Sequence, residues 1–334
     1  MRLHLNENTA GCSPAVMETL RALGRQDAGF YPDYAQARRA VAACFGVGDD
    51  HVVLTNGLDE GILAAVGASF RERGGGVPET VGVAPAFDMY EVCTTALGGR
   101  MITVPLGPGY AFDGTAIRQA VTSATRIVFV TNPHNPSGVT WDLDALRSLA
   151  RDIAPVTTFV DEAYADFSGE SLIDPRTFER LPNLVVGRTF SKAYGIAGLR
   201  AGAVVGAPAT LAPIARVIPP YSLNAFAAAA LPVAIADRGY RAWYLAQAEA
   251  SRALLRRACE RLGLQTWPSA ANFMLVRVGP RATDIVAALA ARGVKVRDRS
   301  SEAGCEQCIR ITAGVVTDTE RAIEALEEVL CAAR

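Results

Sequence analysis

Lysine is almost absent from this chain of 334 residues. Only Lys192 and Lys295 occur, and arginine supplies the rest of the 33 basic side chains. A chain that avoids lysine so strongly, yet keeps Lys192 beside Thr189, Ser191 and a Gly-x-x-Gly sequence, indicates a need for an amine there. Arginine cannot meet that need, because its guanidinium stays protonated and cannot attack a carbonyl group. Lys192 is therefore a candidate for a Schiff base with an aldehyde cofactor.

The chain also lacks an apolar run of the roughly 18 residues that a membrane-spanning helix needs. Residues 225–236 are rich in alanine, but Pro232 interrupts them. The formal net charge is −1, so electrostatics gives no reason to expect binding to nucleic acid or to an anionic membrane. The first residues do not have the pattern of a signal peptide. We therefore expect a cytoplasmic protein with no membrane or nucleic-acid partner.

Cysteine and histidine are too scattered to predict a disulfide framework or a metal centre. The seven cysteines are an odd number at irregular spacing, unlike a set of paired bridges. Cys305 and Cys308 form a lone CxxC sequence, and a zinc site would need two further ligands at suitable spacing. We expect no metal site and interpret this pair as neighbours in a loop, with a metal or redox role as the less favoured alternative.

The length and composition predict a globular protein with one large α/β domain and a smaller companion. Half of the residues are hydrophobic and a fifth are charged, as in ordinary soluble domains. The apolar stretches 126–131, 157–160 and 184–187 are typical of strands that a parallel sheet buries on both faces. A proline-marked break at 219–224 predicts the main domain boundary, and strands and helices alternate after it.

Polar sequences follow each of these three strands. Asn132–Gly138 follows the first, Asp161–Tyr164 the second, and the lysine sequence Arg188–Arg200 the third. Ligands of open α/β sheets bind outside the carboxyl ends of the strands. We therefore expect these sequences to meet at one ligand site.

A second group of residues predicts an anion site. Asn56 and Gly57 form a turn that leads into a helix beginning near Leu58. The start of a helix presents free N–H groups and the positive end of the helix dipole, and Asp59 suits its first turn. Donors near Lys192 would assist at a phosphate beside it; they are Thr189, Ser191 and Arg200.

Taken in order, these motifs resemble the fold-type-I pyridoxal-phosphate-dependent aminotransferases of class I/II, most closely their histidinol-phosphate aminotransferase-like branch. The matches run from Leu5 to Thr312 and cover nearly the whole chain. The resemblance implies an α/β fold: a three-layer large domain with a mostly parallel central sheet, plus a smaller α+β domain. We expect an N-terminal segment with part of the small domain at 1–28, the cofactor-binding domain at 29–220, and a linking helix with the C-terminal small domain at 221–334.

The resemblance implies a role for each matched residue around pyridoxal 5'-phosphate. Lys192 holds the cofactor as an aldimine and, once released, moves the substrate's alpha proton. Asp161 keeps the pyridine nitrogen protonated, which makes the ring an electron sink. Phe87 stacks on the ring, and Asn135 and Tyr164 donate hydrogen bonds to its phenolic oxygen.

The phosphate of the cofactor is bound, by the same resemblance, at the glycine turn and beside the lysine. The family is homodimeric, and the tyrosine of its Tyr-Pro-Asp sequence crosses to the neighbouring site. The implied contacts are Gly57, Leu58, Asp59, Thr189, Ser191, Arg200 and, from the partner subunit, Tyr31.

The substrate contacts implied by the resemblance are Arg310, Asn8 and, more weakly, Arg297. A planar guanidinium matches a carboxylate or phosphate with two parallel hydrogen bonds, and Arg310 lies in an Ile-Arg-Ile-Thr sequence. The family's N-terminal sequence has a tyrosine that helps to hold substrate phosphate, whereas this chain has Ala10. A free amino acid is therefore favoured at least as much as an amino-alcohol phosphate such as histidinol phosphate.

The main hypothesis is an aminotransferase that moves an amino group between an amino donor and a 2-oxo acid, in amino-acid or specialised-metabolite biosynthesis. One alternative is a decarboxylase of the same fold, resembling threonine-phosphate decarboxylases. The sequence does not reveal which substrate bond stands perpendicular to the ring and is therefore broken. A second alternative is a ligand sensor without catalysis, although such regulators carry a DNA-binding domain for which we expect no segment here.

Overall fold

A computed structural model describes residues 1–71 and 76–332. The helices are α1 (Pro14–Ala22), α2 (Arg25–Gly29), α3 (Ala35–Phe45), α4 (Leu58–Phe70), α5 (Met89–Ala96), α6 (Gly114–Ala120), α7 (Leu143–Asp152), α8 (Ala165–Ser168), α9 (Pro175–Arg180), α10 (Pro208–Ala215), α11 (Ala225–Ala236), α12 (Arg238–Arg261), α13 (Ala282–Ala291) and α14 (Val316–Ala332). The strands are β1 (Val52–Asn56), β2 (Glu79–Ala84), β3 (Arg100–Pro105), β4 (Thr125–Thr131), β5 (Thr157–Asp161), β6 (Leu184–Thr189), β7 (Ala201–Gly206), β8 (Gln265–Thr266), β9 (Phe273–Arg277), β10 (Arg297–Asp298) and β11 (Cys308–Thr312).

Seven strands form the larger sheet in the order β1-β7-β6-β5-β4-β2-β3. The pairs β6–β5, β5–β4, β4–β2 and β2–β3 are parallel, and β7 runs antiparallel to both of its neighbours. The connection from β6 to β7 carries Lys192 and is too short for a parallel crossover, which needs a dozen or more residues and usually a helix. The mostly parallel central sheet is confirmed.

Helices cover both faces of this sheet. Alternate residues of a strand point to opposite faces, so Val128 and Val130 pack in one core and Ile127 and Phe129 in another. The first core is closed by α1, α3, α6, α7, α9 and α11, and the second by α4, α5 and α10. This gives the three layers that the resemblance implied.

The smaller sheet is antiparallel throughout, in the order β10-β11-β9-β8. Its core comes from α12, α13 and α14 together with Leu3, whereas Val16 of α1 packs with the large sheet. The first residues of the chain lie beside this sheet, where Arg2 pairs with Lys295 in an isolated bridge, and β10 begins at Arg297. The domain boundaries at residues 28 and 220 stay predictions.

Membrane and metal features were sought over residues 1–71 and 76–332. None of the helices there combines the length and the apolar character needed to cross a bilayer. No group of three histidine, cysteine, aspartate or glutamate side chains in these residues is placed to hold a metal ion. All seven cysteines are free, and Cys305 and Cys308 are buried. The cytoplasmic location and the lack of a metal stay predictions.

Candidate active site

A cavity of about 410 Å³ opens where β4, β5 and β6 end. Three groups of residues reach it from these strand ends, the arrangement expected of an open α/β sheet; they are 131 and 135, then 161, 163 and 164, then 189, 191 and 192. Most of the predicted site residues line it: Leu58, Asp59, Phe87, Asn135, Asp161, Tyr164, Thr189, Ser191, Lys192, Arg200, Arg297 and Arg310.

Lys192 lies in the turn after β6, and its Nζ donates to the carbonyl oxygen of Leu5 at 2.9 Å. Burial, assisted by the positive charge of Arg310, lowers the pKa of Lys192 to about 8. The turn needs Gly195, which has φ +70° and packs so closely on the backbone of Gly11 that a Cβ would overlap it. The structure thus presents an amine that loses its proton readily.

Asp161 ends β5 and is 3% exposed. Its carboxylate accepts hydrogen bonds from the Tyr90 hydroxyl at 2.7 Å and from the backbone N–H of Ala163 at 2.9 Å. Burial nevertheless raises the pKa of Asp161 to about 6, because desolvation penalises the charged form more than these bonds favour it. A ligand cation or N–H placed beside this carboxylate would be strongly stabilised.

The loop that carries Asn135 is fixed by His134. The Nε2 atom of His134 lies 2.9 Å from the carbonyl oxygen of Pro85, and Nδ1 lies 2.8 Å from the Ser137 hydroxyl. A carbonyl can only accept, so Nε2 carries the proton and Nδ1 accepts from Ser137. Burial lowers the pKa of His134 to about 4, which keeps the ring neutral. His134 therefore ties the Asn135 loop to the segment that carries Phe87.

The predicted anion site lies where α4 begins. Gly57 has φ +76°, and a Cβ on it would overlap the guanidinium of Arg200. Arg200 itself has φ +56° and donates from Nη2 to the Asp59 carboxylate at 2.9 Å. At the end of β6 the Ser191 N–H donates to the Thr189 hydroxyl at 3.2 Å. The helix dipole, one guanidinium and two hydroxyls thus meet at one end of the cavity.

The N-terminal segment crosses the cavity and is fixed by Asn6. This residue has φ +55°, a conformation that asparagine tolerates better than most residues. Its Nδ2 donates to the Tyr164 hydroxyl oxygen at 3.0 Å, and its Oδ1 accepts from the Thr312 hydroxyl at 3.1 Å. Because Asn6 supplies a donor, the hydroxyl hydrogen of Tyr164 is left free to donate into the cavity.

Arg310 faces the cavity from β11. It donates to Asn135 Oδ1 at 2.5 Å and to the His4 carbonyl oxygen at 3.0 Å, and its Nε has no hydrogen-bond partner in the described residues. Burial lowers the pKa of Arg310 to about 10. Its hydrogen bonds go only to neutral oxygens, so an acidic ligand group would find this guanidinium electrically uncompensated.

Besides Gly57, which directly precedes Leu58 at the start of α4, two predicted residues are outside the cavity lining. Asn8 is buried outside the cavity lining, donating to the Ala193 carbonyl at 3.3 Å and accepting from the Ala10 N–H at 3.0 Å. Tyr31 is 79% exposed and stacks on Tyr221, with ring centroids 4.3 Å apart. In a single chain neither side chain reaches the site, so both roles stay predictions.

Comparison with known proteins agrees with this geometry. Residues 1–326 match the family described as "Aminotransferase class I and II". A histidinol-phosphate aminotransferase of Nitratidesulfovibrio vulgaris (Hildenborough) is 36% identical over 343 aligned residues, which cover 99% of this chain and 88% of that protein. The chain belongs to the class I and II aminotransferase family.

Solved structures place the aminotransferase fold over the whole chain. A histidinol-phosphate aminotransferase of Sinorhizobium meliloti, in complex with pyridoxal-5'-phosphate, has a TM-score of 0.89 at 26% identity and covers 100% of this chain and 91% of that one. The L-threonine-O-3-phosphate decarboxylase of Porphyromonas gingivalis has a TM-score of 0.84 at 24% identity, covering 98% of each chain, and this likeness shows the fold alone. The predicted family, fold and pyridoxal-phosphate-dependent enzyme class are confirmed.

The residues of this aminotransferase fit pyridoxal phosphate. Gly57 lets the Arg200 guanidinium approach the start of α4, where any side chain would collide with it. The Asp161 carboxylate is buried and accepts hydrogen bonds from the neutral donors Tyr90 and Ala163 among the described residues. Lys192 and Asp161 lie on connections from adjacent parallel strands. The cavity therefore offers an anion site at the start of α4, a buried carboxylate for a ring nitrogen, and an amine in the same lining.

Sequence reasoning missed four residues of this aminotransferase site: Asn6, Tyr90, His134 and Arg299. Tyr90 hydrogen bonds to Asp161, and His134 hydrogen bonds to the Pro85 carbonyl. Their local sequence does not reveal either partner. Asn6 contacts Tyr164, which lies far away in the sequence. Arg299 follows Arg297 by two residues, so strand alternation could have placed both on one face.

Proposed function

We propose that this aminotransferase transfers the amino group of an amino acid to a 2-oxo acid, with Lys192 as the group that moves the substrate proton. The observation that carries this proposal is the Lys192 amine with a pKa near 8, facing the same cavity as buried Asp161. A general base works best when its pKa lies near the working pH. Burial in this cavity brings the pKa of Lys192 close to a neutral working pH.

Each residue has a proposed part in holding the reacting groups. Pyridoxal phosphate, when bound, supplies a conjugated ring that withdraws electrons from the substrate carbon. Asp161 holds a proton at the ring nitrogen, and Asn135 and Tyr164 donate hydrogen bonds to the phenolic oxygen. Phe87 packs against the face of the ring, as flat aromatic systems favour. The Lys192 amine would accept the proton that leaves the substrate carbon and would hold it for return during the amino transfer.

Proposed phosphate contacts come from the start of α4 and from the lysine turn. They are Gly57, Leu58, Asp59, Thr189, Ser191 and Arg200, with Tyr31 added by a partner subunit in a homodimer. The exposed aromatic surface supports the dimer, because Phe30 is 71% exposed, Tyr31 79% and Tyr221 52%. Large exposed aromatic patches usually mark an interface.

Arg310 is the proposed anchor for an acidic group of the amino donor, with Arg297 as a more exposed contact. Relatives named histidinol-phosphate aminotransferase favour histidinol phosphate as a second candidate donor. Ala10 stands where the family uses a tyrosine, which favours an amino acid instead.

The test is a half-reaction with purified holoenzyme. A panel of amino acids and L-histidinol phosphate is mixed with the enzyme one at a time, and the absorbance of the bound cofactor is followed. We expect some amino acids to convert the cofactor fully, with a keto product and no carbon dioxide. Carbon dioxide release without a keto acid would contradict transamination and support the decarboxylase alternative.

A further inference from the structure

The hydroxyl group of Tyr164 depends on the N-terminal segment for its hydrogen bonding. Among the described residues this hydroxyl bonds only to Asn6, whose Nδ2 donates to it at 3.0 Å. Tyr164 is 5% exposed and lines the cavity. Which atom of the Asn6 amide faces Tyr164 therefore decides where the hydroxyl hydrogen goes, because the amide nitrogen can only donate and the amide oxygen can only accept.

Thr312 of β11 fixes the orientation of the Asn6 amide. Its Oγ1 accepts a hydrogen bond from the Asn6 backbone N–H at 3.1 Å and lies 3.1 Å from Asn6 Oδ1. The hydroxyl has a single hydrogen, and Oδ1 is its acceptor. If the amide were turned over, Nδ2 would face Oγ1 and the Thr312 hydrogen would be buried without an acceptor. Leaving a buried donor unpaired costs more than a hydrogen bond contributes, so the observed orientation is strongly favoured.

The backbone on either side of this contact is held as well. Asn272 Nδ2 donates to the Asn6 carbonyl oxygen at 3.1 Å, and the Thr312 N–H donates to the Leu3 carbonyl oxygen at 2.9 Å. Asn6, Asn272 and Thr312 are each at most 1% exposed. Thr312 itself lies outside the cavity lining. Its hydroxyl therefore reaches the site only through Asn6.

We propose that Thr312 is a positioning residue whose hydroxyl holds the Asn6 amide so that the Tyr164 hydrogen stays available to the phenolic oxygen of the cofactor. This inference rests on the proposed function, which supplies the contact between Tyr164 and that oxygen. A turned Asn6 amide would present Oδ1 to Tyr164 and accept the hydrogen in place of the cofactor. Burial raises the pKa of Tyr164, and the charge of Arg310 and the hydrogen bond from Asn6 oppose the rise, as a donor to the hydroxyl oxygen should.

The bound cofactor reports on this hydrogen bond through its colour. A donor to the phenolic oxygen stabilises the negative charge on that oxygen. The same charge attracts the proton on the nitrogen that joins the cofactor to Lys192, so loss of the donor strengthens this attraction. The pKa of the nitrogen, read from the absorbance of the holoenzyme as pH is varied, should therefore rise when the Tyr164 hydrogen is diverted to Asn6.

Absorbance titration of holoenzyme variants tests the proposal without turnover. Thr312→Val removes the hydroxyl with little change in side-chain size and should raise this pKa by about one unit, a tenfold change in proton affinity. Thr312→Ser keeps a hydroxyl and should titrate like wild type. The control is Thr158→Val on β5, because Thr158 is buried and its Oγ1 has no hydrogen-bond partner in the described part of the chain. This control should also titrate like wild type.

A double variant separates positioning from a general disturbance of the site. Tyr164→Phe removes the donor itself and should raise the pKa at least as much as Thr312→Val does. If Thr312 acts through Tyr164, the double variant should shift no further than Tyr164→Phe alone, because residues that act on one contact are not additive. Shifts that add in the double variant would overturn the proposal.

The outcomes distinguish this inference from the proposed function. A shift in Tyr164→Phe without one in Thr312→Val would refute the role of Thr312 and leave the Tyr164 contact and transamination intact. No shift in Tyr164→Phe would refute the contact with the phenolic oxygen and, with it, the inference. If circular dichroism shows that Thr312→Val does not fold, Thr312→Ala removes the same hydroxyl and is judged by the same outcomes.

Discussion

At the scale of single residues, the site rests on two side chains whose pKa values move toward neutrality from opposite sides. Burial lowers the pKa of Lys192 from 10.5 to about 8 and raises that of Asp161 from 3.8 to about 6. Desolvation disfavours the charged form of either group. In the absence of a ligand, the charged forms of both side chains therefore reduce the stability of the folded protein. Ligand groups that compensate these charges would bind favourably in the cavity.

Asp161 predicts a pH dependence of stability in the apoprotein. A carboxyl with a raised folded-state pKa contributes fully below its unfolded pKa, and the contribution is lost as pH rises through the folded value. Between pH 4 and pH 7.5 the unfolding free energy of wild type should therefore fall relative to Asp161→Asn, by on the order of 2 kcal/mol.

Urea unfolding of both apoproteins at the two pH values measures this difference. Asp144→Asn is a matched control, because the Asp144 side chain is 87% exposed, and it should follow wild type. If the unfolding free energies of Asp161→Asn and wild type changed in parallel with pH, Asp161 would not be a carboxylate whose charged form is disfavoured by burial.

At the scale of elements, function depends on how strands and helices end. The turn between β1 and α4 brings Gly57 against Arg200, and the turn after β6 brings Gly195 against the N-terminal segment. Both glycines have positive φ and no space for a Cβ. Each therefore meets two requirements, one of backbone conformation and one of close approach.

Gly57→Ala and Gly46→Ala separate these two requirements. Gly46 ends α3 with φ +68° and has no atom within 4 Å of a built Cβ, so alanine there brings only backbone strain, about 1 kcal/mol. Gly57→Ala adds the collision with Arg200 at the phosphate end. Titration of the apoproteins with pyridoxal phosphate should show affinity reduced at least tenfold in Gly57→Ala and unchanged in Gly46→Ala. Equal affinity in the two variants would argue against a phosphate site at this turn.

The sequence predicted the strand ends well because polar motifs directly follow apolar runs. The positions of Asn135, Asp161 and Lys192 could be predicted because each residue follows a buried strand. The helix that begins at Leu58 was predicted from the glycine turn before it. The pairing of Lys295 with Arg2 could not be predicted, because Arg2 lies at the other end of the chain. The contacts of Asn6 and Tyr90 were missed for the same reason: local pattern carries no information about a distant partner.

At the scale of the whole molecule, the two sheets supply different parts of the site. The proposed cofactor contacts come from the ends of the seven-stranded sheet, and Arg297 and Arg310, the proposed donor contacts, come from the four-stranded sheet. The N-terminal segment joins them, since Leu3 packs in the core of the small sheet and Asn6 contacts Tyr164. Substitutions in the small sheet could therefore alter substrate specificity without altering the proposed cofactor contacts of the large sheet.

The proposed homodimer predicts complementation between two defective chains. Tyr31→Ala should weaken cofactor binding, because each site would lose a contact from its partner subunit, and Lys192→Ala should be inactive. In a heterodimer of the two, one site keeps both Lys192 and Tyr31. Unfolding and refolding an equal mixture should therefore restore activity in about a quarter of all sites, if the subunits pair at random.

Activity of the mixture is compared with each variant refolded alone at the same total concentration. A mixture no more active than the mean of the two variants would contradict a site shared between subunits. Sedimentation of wild type as a monomer at assay concentration would do the same.

The most direct test concerns the covalent link at Lys192. Borohydride reduction of the holoenzyme, followed by proteolysis and mass spectrometry, fixes the cofactor to the amine that carries it. The chain has only Lys192 and Lys295 to compare. We expect a pyridoxyl phosphate mass on the peptide that contains Lys192, and the same result in Lys295→Ala. The label on Lys295, or no labelled lysine in a protein saturated with cofactor, would contradict the account.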